Sequence, residues 1–180
     1  LAITVSLKGF VPEGKAITRS GAKTGDWIYV TGQLGDSALT VDNRLKNLNL
    51  PEIHMQKAEQ RFNYPNARIA AGHVLRHAAT AALDISDGLL QDLGHILKAS
   101  KVSAEIDIDK LPISPQVTAC VAEQEAIKLA LMGGEDYELL FTVPEHQKPH
   151  LEQNAIAMGV AFSCIGQIKG GDNGITLVRG

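Results

Sequence analysis

The chain has 180 residues, of which 44% are hydrophobic and 21% are charged, and its formal net charge is -3. This length and composition predict one packed globular domain, or one domain with a fragment of another, and they exclude wholesale disorder. No dense run of Lys or Arg is present, so we expect no nucleic-acid partner.

Strands are predicted where apolar and polar residues alternate, or where β-branched and aromatic residues cluster between turn signals. In chain order they cover residues 2–7, 27–31, 104–109, 137–143, 161–168 and 175–178. We expect the strand at 27–31 to lie in the centre of a sheet. We expect the last two strands to form a hairpin through the glycine-rich residues 170–174.

Helices are predicted where apolar residues recur at helical spacing. One begins at residue 36 or 37, one or two short ones lie within 41–64, and the others cover 67–82, 87–100, 116–132 and 145–158. Helices and strands mix without a strict βαβ period. The predicted fold class is therefore α+β, with helices packed on a mixed sheet.

The stretch ALDISDGLL at residues 82–90 predicts a short buried strand that runs directly into a helix. Asp84 and Ser86 share a face of the extended chain, and Asp87 opens the helix beside Gly88, which permits close backbone approach. Free N–H groups at a helix start attract phosphate oxygens, but two carboxylates there would repel phosphate unless a cation lies between them. We therefore predict that Asp84 and Asp87 bind Mg²⁺. The alternative is an Asp/Ser helix cap with a solvated turn.

Two further places carry candidate chemistry. Glu135 and Asp136 follow Gly133 and Gly134 at the end of a predicted helix, where they could hold a metal or a polar group, or form a solvated turn. Arg19 could donate to phosphate through its guanidinium group, or it could be a surface residue in a loop.

Three segments, taken in this order and spacing, resemble the thiamine-monophosphate kinase family. They are residues 19–38, residues 83–89 (LDISDGL) and residues 133–143 (GGEDYELLFTV). The GGEDYEL run separates this kinase from relatives that share its two-domain fold. The resemblance extends over nearly the whole chain and implies the C-terminal-domain fold of the aminoimidazole ribonucleotide synthetase superfamily.

This resemblance implies ATP-dependent phosphorylation of thiamine monophosphate, which gives thiamine diphosphate and ADP with the help of several Mg²⁺ ions. By match to the family motifs, Asp84 and Asp87 are metal ligands, Ser86 and Arg19 bind ATP, and Glu135 contacts the substrate. No role is carried over to Asp136. Because the acceptor is already an ionised phosphate oxygen, no general base is expected.

The resemblance also implies a longer protein, in agreement with a chain that begins at Leu1. Residues 1–12 would be the tail of a missing N-terminal domain that mediates homodimerisation, and residues 13–180 would be the C-terminal α+β domain. We expect this fragment alone to be inactive. The sequence carries no signal peptide and no apolar run of transmembrane length, so we expect a cytoplasmic protein with no membrane partner.

Two other functions remain open at this point. One is another ATP-using enzyme of the same superfamily. The other is a non-catalytic nucleotide-binding domain, which would not need the complete Asp-Ile-Ser-Asp-Gly set.

Overall fold

A six-stranded mixed sheet forms the centre of the chain in a computed structural model, which describes residues 2–180 apart from the side chains of 156–158. The strands are β1 (Trp27–Thr31), β2 (Ala81–Asp84), β3 (Ser103–Asp107), β4 (Leu139–Val143), β5 (Phe162–Lys169) and β6 (Ile175–Val178). Their order in the sheet is β2-β4-β1-β5-β3-β6. The pairing of β3 with β6 is parallel, and the other described pairings are antiparallel. The predicted central position of residues 27–31 is confirmed.

The sheet is covered by helices on both faces. The helices are α1 (Asp36–Lys46), α2 (Glu52–Asn63), α3 (Ile69–Leu75), α4 (Leu89–Ser100), α5 (Pro115–Cys120), α6 (Glu123–Met132) and α7 (Lys148–Met158). Short 3₁₀ turns at Ile108–Lys110 and Glu145–Gln147 complete the secondary structure. None of the helices in the described part of the chain is long and apolar enough to cross a membrane.

Alternating residues of β1 separate two apolar clusters, as expected of a strand whose neighbouring side chains point to opposite faces. Ile28 and Val30 belong to the larger cluster, which includes Leu93 and Ile96 of α4. Tyr29 belongs to the cluster on the other face, where Leu75 of α3 and Leu151 of α7 are buried. The predicted α+β class, with helices packed on a mixed sheet, is therefore confirmed.

Helices α1, α2, α5 and α6 share a third apolar cluster beside the sheet. Leu39, Met55, Val117 and Leu129 are buried in it. This helical layer brings the first turn of α1 next to the segment that connects α6 to β4.

Two predictions about strands are wrong. Residues 2–7 form no strand, because no strand within the described residues pairs with them. Their side chains are exposed. The predicted hairpin of β5 and β6 is absent from the described sheet, because β3 lies between the two strands. Residues 170–174 instead cross one end of β3, where Ala104 N donates to Gly174 O at 2.9 Å.

Two predicted helices are shorter than expected. The helix predicted over 67–82 ends at Leu75, and Ala81–Asp84 forms β2, since pairing with β4 outweighs the helix propensity of the alanines. The helix predicted over 116–132 is divided into α5 and α6 at Val121 and Ala122, which are extended. β-Branched residues around this break are weak helix formers, so little opposes the division.

Candidate active site

The turn between β2 and α4 presents two carboxylates to solvent. Asp84 is the last residue of β2, and α4 begins at Leu89. Ile85 is fully buried, whereas Asp84 and Asp87 are exposed and Ser86 is half-buried. The buried isoleucine therefore anchors the turn, and the acidic side chains on either side of it face outward.

The segment that connects α6 to β4 is hydrogen-bonded directly to this turn. Ile85 N donates to Glu138 O at 2.8 Å, and Tyr137 N donates to Ile85 O at 2.9 Å. Glu135 N donates to Ser86 O at 2.9 Å. A Cβ atom on Gly134 would lie 2.4 Å from Ser86 O, so this glycine is what allows the two backbones to approach.

Residues 135–138 alternate between solvent and interior. Glu135 and Tyr137 are exposed and adopt left-handed backbone conformations, with φ of 66° and 50°. Asp136 and Glu138 between and after them are buried. The Tyr137 hydroxyl donates to Glu135 Oε2 at 3.0 Å, which orients that carboxylate beside the turn.

The exposed acids of the two segments form one negatively charged surface. The hydrogen bond to Glu135, partial burial and the negative charges of Glu135, Asp84 and Asp87 together raise the pKa of Tyr137 above its ordinary value. Among the described residues, no ion pair includes any of these three acids. Their charge is therefore left for a cation or a cationic ligand to balance.

Asp84 and Asp87 fit the coordination chemistry of Mg²⁺, which prefers carboxylate oxygens and retains several waters or phosphate oxygens. The described residues contain no group of three or more His, Cys, Asp or Glu side chains that could hold a metal. Two carboxylates of this chain would thus be part of a coordination sphere, and the remaining ligands would come from water, from phosphate or from another part of the protein.

The three N–H groups that immediately precede α4 are not free to attract phosphate. Asp92 Oδ2 accepts hydrogen bonds from the N–H groups of Ser86, Asp87 and Gly88 at 3.0, 3.0 and 3.2 Å. The helix also begins two residues later than predicted, after Gly88 rather than at Asp87. The predicted close approach at Gly88 is confirmed, because a Cβ atom there would lie 2.8 Å from Met132 O.

Two partly buried arginines bind the buried carboxylate of Glu138, which follows the exposed acids in the chain. Arg68 donates to both carboxylate oxygens of Glu138 at 2.7 and 2.6 Å, and Arg61 donates to Glu138 Oε1 at 3.0 Å. Thr31 Oγ1 donates to Glu138 Oε2 at 2.6 Å. Glu138 is only 2% exposed, and these contacts hold its side chain in place directly after Tyr137 in the chain.

Asp136 ties the same segment to the start of α1. Its Oδ2 accepts from Gly35 N at 2.9 Å, while Ser37 Oγ donates to Glu135 O at 2.8 Å. Asp136 Oδ1 is buried and has no hydrogen-bond partner among the described residues. Burial raises the pKa of Asp136 to about 7, against the opposing effects of the Gly35 N–H and of Arg61.

Arg19 lies beside the strand that leads into the site. Thr18 O accepts from Ala82 N at 3.0 Å, and a Cβ atom on Gly21 would contact Thr80 O, so this segment runs along the edge of β2. Arg19 is exposed, and within the described part of the chain no hydrogen bond or ion pair joins it to Asp84 or Asp87. The structure brings together Asp84, Ser86, Asp87 and Glu135, and leaves Arg19 at the adjacent edge.

The sequence interpretation missed the residues that hold the site in place. Asp92 could have been noticed, because it falls on the apolar face of α4 between Leu89 and Leu93, where an acid needs a specific partner. Arg68 and Glu138 carry no comparable signal, since nothing in the spacing of their positions indicates that they pair.

Residues 23–178 match the family described as AIR synthase related protein, C-terminal domain, and the chain belongs to this family. Within it, the chain is similar to thiamine-monophosphate kinases. The enzyme of that name from Salmonella typhimurium is 46% identical over 182 residues, which cover 99% of this chain and 55% of the relative. The chain thus spans about half the length of the curated relatives it matches.

Solved structures agree with this resemblance. Thiamine-monophosphate kinase from Stenotrophomonas maltophilia K279a superimposes with a TM-score of 0.87 at 37% identity, over 93% of this chain and 54% of that chain. A structure described as AaThiL complexed with AMPPCP and TMP has a TM-score of 0.74 at 35% identity, over 89% of this chain and 50% of that chain. The resemblance and the fold predicted from the sequence are both confirmed.

Proposed function

We propose that this chain is the C-terminal part of an enzyme that transfers the γ-phosphoryl group of ATP to thiamine monophosphate. The products are thiamine diphosphate and ADP. The observation that carries the proposal is the convergence of Asp84, Asp87 and Glu135 on one surface with no compensating ion pair in the described chain. The similar AaThiL was solved with AMPPCP, an analogue of ATP, and with TMP, which supports these two substrates.

Asp84 and Asp87 would hold Mg²⁺, which when bound supplies the positive charge that lets two phosphate groups approach each other. Ser86 lies between the two acids and would contact ATP. Arg19, at the adjacent strand edge, would donate to the ATP phosphates through its planar guanidinium group. Glu135, oriented by Tyr137, would contact the thiamine side of the acceptor.

The reaction needs little proton transfer. A phosphate oxygen of thiamine monophosphate attacks the γ-phosphorus, and the bond from that phosphorus to the bridging oxygen breaks as ADP leaves with the electron pair. The attacking oxygen is already ionised near neutral pH, so a general base is not required. The residues of this chain would therefore act by positioning and charge balance.

We further propose the arrangement of the whole protein. Residues 1–12 would be the tail of an N-terminal domain, and residues 13–180 would be the C-terminal domain. The N-terminal domain would supply further metal ligands and the homodimer contact, so the chain alone would be inactive. The proposed location of the protein is the cytoplasm.

The test is a turnover assay of the intact protein, with Asp87→Asn as the variant and Asp172→Asn as the control. Asp172 is an exposed acid in the loop before β6, so its substitution removes the same charge outside the site. We expect Asp87→Asn to lower turnover by about 100-fold or more while leaving the unfolding midpoint unchanged. Equal turnover of the variant and the wild type at saturating Mg²⁺ would refute the metal-ligand role.

Substrate choice is tested in the same assay. The intact protein is expected to consume ATP with thiamine monophosphate and not with aminoimidazole precursors. ATP consumption with those precursors alone would favour another enzyme of the superfamily. Nucleotide binding without turnover of any of these acceptors would favour a non-catalytic nucleotide-binding domain.

A further inference from the structure

Asp92 is a buried carboxylate with no cationic partner. Its exposed fraction is 2%, and no ion pair of the described residues includes it. A buried charge is costly unless hydrogen bonds or an opposite charge compensate it. Asp92 must therefore be stabilised by the groups that its oxygens contact.

Those groups are three successive backbone amides. The N–H groups of Ser86, Asp87 and Gly88 all donate to the single oxygen Oδ2, at 3.0, 3.0 and 3.2 Å. Hydrogen bonds to an ionised acceptor are stronger than neutral ones, and consecutive N–H groups that point to one place form an anion-binding concavity. The side chain of Asp92 occupies this concavity as a built-in anion.

The backbone of Asp92 closes the same loop from the other side. Asp92 N donates to Gly88 O at 2.9 Å, while Gly88 N donates to the Asp92 carboxylate, so residues 88 and 92 are joined twice. Gly88 has a φ of 115°, a conformation that other residues rarely adopt, and this directs the chain from the turn into α4. The conformation of the turn therefore depends on the Asp92 carboxylate, because opening the turn would leave that buried group without hydrogen-bond donors.

We propose that Asp92 is a positioning residue for the phosphoryl-transfer site. Its carboxylate holds the turn so that Asp84 and Asp87 project together, and it occupies the amides that would otherwise bind a phosphate directly. The second effect leaves phosphate binding at this turn dependent on the metal. This inference rests on the proposed function for the metal and phosphate, but the effect of Asp92 on the turn itself does not.

The first experiment measures amide hydrogen exchange of the intact protein without ligands, in wild type, Asp92→Asn and the control Asp172→Asn. Asparagine has the same shape but lacks the negative charge. We expect exchange at residues 86–88 to become about tenfold faster or more in Asp92→Asn, because bonds to a charged acceptor contribute more than neutral ones. Amides in β1 and β4 should be unchanged. Wild-type exchange at residues 86–88 in Asp92→Asn would overturn the inference.

The second experiment measures the Mg²⁺ concentration required for half-maximal turnover, and Mg²⁺ binding by calorimetry. Loss of a residue that orients metal ligands is expected to weaken Mg²⁺ binding about 10- to 100-fold, with a smaller change in the KM for thiamine monophosphate. If wild type binds no Mg²⁺, the proposed function fails while the exchange result still decides the role of Asp92 on the turn. If wild type binds Mg²⁺ and Asp92→Asn binds it equally well, the positioning role is wrong.

A second variant covers the case in which Asp92→Asn does not fold. Asp92→Gly leaves room for a small carboxylate, so formate should restore its folding and its slow exchange at residues 86–88, whereas chloride at equal ionic strength should not. Recovery with formate supports a built-in anion. Failure of both variants to fold, with no effect of formate, would mean that Asp92 serves general core stability, and it would overturn the positioning role.

Discussion

The backbone N–H of Glu135 donates a 2.9 Å hydrogen bond to the carbonyl oxygen of Ser86, which joins the two acidic segments of the chain. The two residues are far apart in sequence, and each lies next to an exposed acid or carries one. Their contact turns two separate motifs into one surface.

Gly134→Ala should separate the two segments. Its Cβ would lie 2.4 Å from Ser86 O, so the backbones must move apart. We expect a loss of about 1–3 kcal/mol in the free energy of unfolding and a lower turnover. Chemical denaturation of the intact protein measures the stability. Gly94→Ala is the control, since nothing lies within 4 Å of its Cβ in α4 and it should add about 0.5–1 kcal/mol. Equal stability of Gly134→Ala and the wild type would contradict the close contact.

Arg68→Ala should lower the free energy of unfolding strongly, although Arg68 is partly exposed. Arg68 binds both oxygens of the buried Glu138 carboxylate, and only Arg61 and Thr31 would remain to balance it. We expect a loss of about 3 kcal/mol, measured by denaturant unfolding. Arg179→Ala is the matched control, because its ion pair with Glu123 is exposed and should contribute less than about 1 kcal/mol. Similar losses for the two variants would show that the burial of Glu138 is unimportant.

Asp136 should make stability depend on pH. Its folded-state pKa is raised to about 7, while a carboxyl of this type in an unfolded chain titrates near 4. Between these values the folded state binds more protons, so the stabilisation is complete below pH 4 and is lost as pH rises to 7. The slope is at most about 1.4 kcal/mol per pH unit.

Asp136→Asn isolates this contribution. Asparagine does not titrate, so the difference in unfolding free energy between wild type and variant should shift in favour of the variant from pH 5 to pH 7. Asp172→Asn, measured over the same range, is the control for the loss of one exposed negative charge. A wild-type minus Asp136→Asn difference that stays constant with pH would rule out a titrating Asp136.

Tyr137→Phe should act on the substrate side of the site and leave the fold intact. The lost hydroxyl orients Glu135 through a 3.0 Å hydrogen bond, and Tyr137 is 40% exposed. Under the proposed function, the KM for thiamine monophosphate should rise about two- to tenfold, with little change in kcat. Tyr64→Phe, at a 77% exposed position, is the control. A decrease in kcat without any change in KM would place Tyr137 in a different role.

The sequence was sufficient to place the turn between β2 and α4 and its two exposed acids. Asp84, Ser86 and Asp87 were predicted at a strand-to-helix junction, and the structure places them there. Their proximity to Glu135 is seen only in the structure. A β-rich run after the turn at Gly25 and Asp26 located β1, and a glycine-rich turn located the start of α1. These features depend on neighbouring residues, which a sequence displays directly.

The remaining features depend on partners that are distant in the chain. Part of an alanine-rich stretch that was predicted as helix forms β2, because it pairs with β4. The insertion of β3 between β5 and β6 removed a predicted hairpin, because two strands that follow each other need not pair. The amides beside the start of α4 were expected to be free, but Asp92 Oδ2 accepts hydrogen bonds from Ser86, Asp87 and Gly88, which precede the helix.

Residues 135–138 alternate between an exposed face and a buried face of the segment. Asp136 and Glu138 are buried. Glu135 and Tyr137 are exposed, and both adopt left-handed backbone conformations. Substitution of the two exposed side chains should therefore leave the buried contacts of Asp136 and Glu138 in place. Under the proposed function, we expect that selectivity for the acceptor could be redesigned at positions 135 and 137 without loss of folding.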